Sequence, residues 1–181
     1  MTTCVALLRG INVGRAKRVP MAELRELFAS LGHTGVRTLL NSGNVVFEAR
    51  RPDVAALARS IAAAIEGRFG FSVPVVVLTA AELDAIVHEN RLVRAGNDPA
   101  KFLVAFVAGP ATLARAAPLR AESWTPEAVA IGEHAVYLWC AGGILESKLA
   151  KAFGRLTGDE ATTRNWATVL KLQAATASQS T

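Results

Sequence analysis

The chain has little of what holds a protein together covalently or through a metal ion. Two cysteines among 181 residues, Cys4 and Cys140, stand far apart with no CxxC spacing and no Cys/His cluster. That argues against a disulfide framework and against a structural zinc site, and points to a reducing compartment. Three histidines, His33, His88 and His134, fall in turns or near a helix end without ligand spacing or a nucleophile partner, so no metal and no cofactor is expected and all three read as incidental. Aromatic residues make up 6% of the chain, which weakens the case for a base-stacking platform and for an aromatic hot-spot surface. No window approaches the roughly 18 continuous apolar residues of a spanning helix. The opening "MTTCVALLRGINV" has no basic region ahead of a short apolar stretch that Arg9 interrupts. The expectation is a cytoplasmic protein with neither a secretory signal nor a membrane partner.

What the chain does have is core material: 51% of its residues are apolar and 19% charged, which leaves no compositional case for disorder. The net charge is +5, and the excess is uneven. Residues 1–51 carry eight cations against three anions, residues 52–98 four against six, and residues 99–181 eight against six. A positive surface at the two ends of the chain favours anionic partners by steering, and also serves solubility.

The order of patterns gives the fold class. "TCVALL" at 3–8 is a strand, Met21, Leu24, Leu27, Phe28 and Leu31 recur at helical spacing, and "VRTLL" and "VVFEA" are two strands around the hairpin signal "NSGN". Residues 52–69 form a second helix with Val54, Leu57, Ile61, Ile65 and Phe69 on one face, and "VPVVVL" at 73–78 is a fourth strand. Thr79 and Glu82 then make a capping-box start to a helix ending near Asn90. After "RAGNDPA", the patterns repeat as strand, helix, two strands across "GEH" and a helix at "SKLAKAFGRL". A final helix is expected from about Thr163 to Ala175, replacing or following the last strand. The prediction is an α+β fold (an α/β sandwich) of two ferredoxin-like βαββα(β) halves, with antiparallel sheets and helices on one face. Residues 1–90 form the first half, 91–100 a linker, and 101–181 the second half with its terminal helix.

Right-handed crossovers bring the loop after the first strand, "RGINVGRAKR", to the same sheet edge as the "NSGN" turn, and the connection near Arg68 and Gly70 arrives there too. Gly10 and Gly14 allow left-handed conformations that aim backbone N–H groups inward, as an anion-binding nest does. Val19 and Pro20 offer no side-chain cap, leaving helix N-terminal donors for an anion, with Arg9, Arg15, Lys17 and Arg18 nearby. The stretch matches neither GxxxxGK[ST] nor GxGxxG. A solvated basic loop accounts for the same residues, and the "NSGN" residues are explained by a turn at Ser42 and Gly43 with Asn41 and Asn44 as shoulders. In "TTRNWATVLKL", Thr162 or Thr163 can cap, Arg164, Thr168 and Lys171 share a helical stripe, and Trp166, Val169 and Leu170 lie opposite; a helix docked by its tryptophan explains this equally well. Lys148, Lys151 and Arg155 form a similar stripe.

"RGINVG", "NSGNVVF" and "TTRNWATVLKL", in this order and near these separations, make the chain resemble a widespread bacterial family, the one numbered 1697 among the domains of unknown function. The resemblance covers essentially the whole chain and implies a soluble bacterial α/β protein with no established activity. Where that family carries GxGxSKL-like residues before the penultimate helix, this chain reads "GGILESKL", and Glu146 reduces the positive charge there.

Three functions follow as expectations. The leading one is a site for a phosphorylated or other anionic small ligand, built from Arg9, Gly10, Asn12, Gly14, Arg15, Ser42 and Asn44, with Arg164 and Asn165 extending it. The second is a nucleic-acid (RNA) binding module on a ferredoxin-like sheet, against which stands the missing RNP1 pattern. The third is a protein-interaction module with no ligand. Whether the protein is an enzyme stays open, because no carboxylate pair, base or nucleophile is identified.

Overall fold

The computed structural model describes residues 1–92 and 98–178, so residues 93–97 of the expected 91–100 linker lie outside the described residues. The chain divides into two compact units, Met1–Leu83 with Leu172–Thr181, and Asp84–Lys171.

The first unit contains β1 (Thr2–Leu8), α1 (Met21–Ser30), β2 (Thr34–Leu39), β3 (Asn44–Ala49), α2 (Val54–Phe69) and β4 (Val75–Thr79), and α3 (Ala80–Glu89) starts in it. Its sheet runs β2-β3-β1-β4 with every neighbour antiparallel. That is the split-βαβ order the sequence predicts. Cys4, Ala6 and Leu8 of β1 alternate onto the face that packs against Leu24 and Phe28 of α1 and Ile61 and Ile65 of α2, all fully buried. Leu57, on the expected apolar face of α2, and Val75 of β4 are partly buried. Asp53 caps α2 by accepting from the Ala56 amide at 3.0 Å, and Gly70 in a left-handed conformation ends it. The capping box is present: the Thr79 amide donates to Glu82 at 2.7 Å, and the Glu82 amide to the Thr79 hydroxyl at 3.2 Å. Arg37 on the edge strand β2 donates to the Ala175 carbonyl at 2.6 Å, tying that residue to this unit.

The second unit contains β5 (Phe102–Val107), α4 (Pro110–Arg115), β6 (Ala128–Ile131), β7 (Ala135–Trp139), α5 (Lys148–Thr157) and β8 (Ala161–Asn165), and α6 (Trp166–Ala177) starts in it. The order β6-β7-β5-β8 is the same antiparallel topology. Leu103, Ala105, Val136 and Leu138 meet Leu149 and Phe153 of α5 in its core.

Local expectations at the final helix and at the hairpin turn are corrected. The final strand is present, and α6 begins at Trp166 rather than near Thr163, because β-branched Thr162 and Thr163 pair with Phe106 and Ala105 of β5. The cap is therefore Asn165, accepting from the Thr168 amide at 2.9 Å, not Thr162 or Thr163. The stripe of Arg164, Thr168 and Lys171 dissolves with Arg164 in a strand, and Leu170, expected on the docked side, is 41% exposed. The hairpin turn is four residues, 40–43, since Leu39 pairs with Asn44, so Asn44 opens β3 instead of flanking a two-residue turn.

Candidate functional site

One edge of the first sheet gathers the loop 9–19, the turn 40–43 and the approach to β4. The Leu8 amide donates to the Gly43 carbonyl at 2.8 Å and the Arg9 amide to the Pro74 carbonyl at 3.0 Å. Lys17 Nζ reaches the Ser72 carbonyl at 3.0 Å. The end of β1 and the loop that follows it are thus hydrogen-bonded to both of the other segments that the crossover rule assigns to this edge.

Asn12 is the hinge of the arrangement. Its side-chain oxygen accepts from the Val19 amide at 2.9 Å, while its Nδ2 donates to the Val19 carbonyl at 2.9 Å and to the Asn41 carbonyl at 2.8 Å. One side chain thereby closes the loop on itself and joins it to the turn. Gly10, Asn12, Gly14 and Lys17 all take positive φ, 69°, 56°, 63° and 49°, the repeated left-handed residues from which backbone nests are made. Asn44 is fully buried, its Nδ2 donating to the Leu39 carbonyl at 2.8 Å and to the Ser42 hydroxyl at 3.0 Å. Its task is to hold the turn.

A cavity of about 280 Å³ opens at this edge, lined by Asn12, Arg18, Val19, Pro20, Met21 and Asn41. Asn12 is the expected site residue on its wall. Arg9, Gly10, Gly14 and Arg15 belong to the framing loop, Ser42 to the turn, and Asn44 to the start of β3. Of the other wall residues, Arg18, Val19 and Pro20 are legible in the sequence as the basic, uncapped start of α1, whereas Met21 and Asn41 read there only as a helix residue and a turn shoulder. Pro20 is the N-cap and makes no side-chain capping bond, so the start of α1, with the positive end of the helix dipole, borders the cavity uncapped by any side chain of the cap residue. Arg15 and Arg18 are exposed and have no carboxylate partner among the described residues.

Arg164 and Asn165 lie in the second unit. Arg164 is buried, donates to the Thr162 hydroxyl and the Thr163 carbonyl at 2.9 Å each, and has its pKa pushed down to about 10 by burial. It stays charged at neutral pH. Asn165 is occupied as the α6 cap. At α5, the amide of Leu149 donates to Glu127 at 3.1 Å and the Ser147 hydroxyl accepts from Ala150 at 2.9 Å, so the chain's own groups fill that helix start beside Lys148. Cys4 is fully buried, and burial followed by the nearby Glu82 charge pushes its thiol up to about 11, which removes it as a nucleophile. Among the described residues no group of three or more His, Cys, Asp or Glu is placed to hold a metal ion, and no helix is long and apolar enough to cross a membrane.

Fold and edge together define an α+β protein of two ferredoxin-like units. The chain belongs to the family described as "Protein of unknown function (DUF1697)", which it matches over residues 1–137. It is similar in fold to the solved structure of conserved bacterial protein SP0830 from Streptococcus pneumoniae, with a TM-score of 0.81 at 23% identity over 98% of this chain and 99% of that one. No curated protein matches the chain.

Proposed function

We propose that the protein binds a phosphorylated or otherwise anionic small ligand at the edge shared by "RGINVG" and "NSGN", with the anion at the start of α1. The observation that carries this reading is the 280 Å³ cavity at an uncapped helix N-terminus with Arg18 on its wall. Backbone amides and a guanidinium would hold the anion there, with Arg15 at the loop tip adding charge. The left-handed loop of Gly10 and Gly14, braced by Asn12, Ser42 and Asn44 and anchored at Arg9, gives the site its shape. On this reading the protein works in the bacterial cytosol, supported by its two buried free cysteines and by its bacterial structural neighbour.

The test is calorimetric titration with a series of phosphate-bearing small molecules. Arg18→Ala or Arg15→Ala should weaken binding by about 1.5 to 3 kcal/mol per lost charge-assisted bond with the fold intact. Arg50→Ala and Arg51→Ala, just beyond the far end of β3, should change it little. Equal losses from both pairs would mean diffuse surface charge and end the reading.

A further inference from the structure

A second polar cluster lies wholly within the second unit. Tyr137 of β7 reaches the last turn of α3, where its hydroxyl proton sits between the Ile86 carbonyl at 2.6 Å and Glu89 Oε1 at 2.8 Å. The Glu89 carboxylate also accepts from the amides of Glu133 at 3.0 Å and His134 at 3.1 Å, and its Oε2 stands 3.2 Å from His134 Nδ1. A Cβ on Gly132 would displace that carboxylate from its present place. Burial alone would raise the pKa of Glu89, but the hydrogen bonds from Tyr137, His134 and Glu133 outweigh it and the net direction is down.

An ionised carboxylate offers only lone pairs, so His134 Nδ1 is the donor in its contact with Glu89. A carbonyl is likewise only an acceptor, so His88 Nδ1 donates to the Asp84 carbonyl at 2.7 Å. Both neutral rings are therefore fixed as the tautomer whose Nε2 carries a lone pair. They line one depression of about 850 Å³, whose other charged or titratable walls are Glu89, Arg91, Arg120, Glu133 and Tyr137. Glu89 has both oxygens engaged from within, so it orients the imidazole instead of facing a ligand. Arg120 is anchored by donating Nη2 to the Ile131 carbonyl at 2.8 Å, and its other N–H groups remain to make contacts.

We propose that this depression is a second binding site, for a small ligand bearing a tetrahedral oxyanion such as a phosphate group, held by Arg120 and Arg91 and by His88 and His134, whose Nε2 atoms take a proton from solvent as the oxyanion enters. Glu89 is a positioning residue for His134.

The probe is inorganic sulfate, whose charge is constant from pH 5.5 to 8, added at matched ionic strength to the Arg15→Ala, Arg18→Ala protein so that the first-unit site is disabled. Imidazole NMR resonances of His88 and His134 should move saturably while those of His33 stay. Affinity should be higher at pH 5.5 than at pH 8, because Nε2 can donate to the oxyanion only when it carries a proton. Arg120→Gln should weaken it about tenfold with the remaining spectrum unchanged. Shifts that fail to saturate, that His33 shares equally, or that survive Arg120→Gln at full affinity would overturn the proposal.

Discussion

A methyl group on Gly43 would stand 2.6 Å from Leu8 Cβ and 2.9 Å from Ile11 Cδ1, on a residue whose φ is 82°. Strand and turn approach too closely there for any side chain. Gly43→Ala should cost about 1 to 3 kcal/mol from overpacking, in addition to about 1 kcal/mol for the left-handed backbone. Gly10→Ala, where the added carbon meets nothing within 4 Å, should show only the backbone part. Urea denaturation of the two variants reads the difference, and equal losses would show that packing at Gly43 adds nothing. The need for a turn near residue 43 is legible in "NSGN" from local chemistry alone. That Asn12 ties Val19 and Asn41 together is not, because the bond to Asn41 spans 29 residues and depends on where the sheet brings the loop. His134 escapes a sequence reading for the same reason: Glu89, 45 residues before it, becomes its neighbour only through the fold.

Among the elements, α2 carries its information in its period. Val54, Leu57, Ile61, Ile65 and Phe69 share one stripe, and of these Ile61 and Ile65 are fully buried while the others are partly covered. Ile61→Ala should therefore destabilise the protein by about 2 to 5 kcal/mol, and Leu57→Ala by less, because a site open to solvent leaves a smaller cavity. A thermal or urea unfolding series checks this, and a loss at Ile61 within measurement error would show the buried face to be misassigned. Periodicity also locates α1, α3 and α5 to within a few residues. It fails at β8, where five residues are too short for a period to declare itself and the adjacent helix pattern extends across them. What settles "ATTRN" as a strand is the open edge of β5, a partner far away in sequence.

At the scale of the whole molecule, stability should depend on pH through His33. Its ring lies 4.7 Å from that of Phe47 and 6.0 Å from that of Phe28, centroid to centroid, and burial lowers its pKa from 6.5. Below 6.5 the unfolded chain takes up the proton before the folded one does, so it binds more protons and stability falls with falling pH until the folded histidine also titrates. Above 6.5 both states are neutral and the full stability is present. Glu89, also lowered, adds a loss of the same sign in a separate window below 4.5. Urea midpoints from pH 8 to 5 should fall on the acid side, and His33→Phe should flatten the part below 6.5; an unchanged slope would remove His33 as the cause. The duplicated ββ-plus-helix order makes the two ferredoxin-like sheets legible in advance, whereas the return of residues 172 onward to the first unit is carried by contacts such as that of Arg37 with the Ala175 carbonyl. That return has a consequence for synthesis. A ribosome releases the chain in order, so β1 to β4 emerge and can pair while the segment that completes their unit is still some ninety residues away. The first unit is begun before the second and completed after it, and until residue 175 emerges Arg37 on the β2 edge lacks the carbonyl it holds in the folded chain.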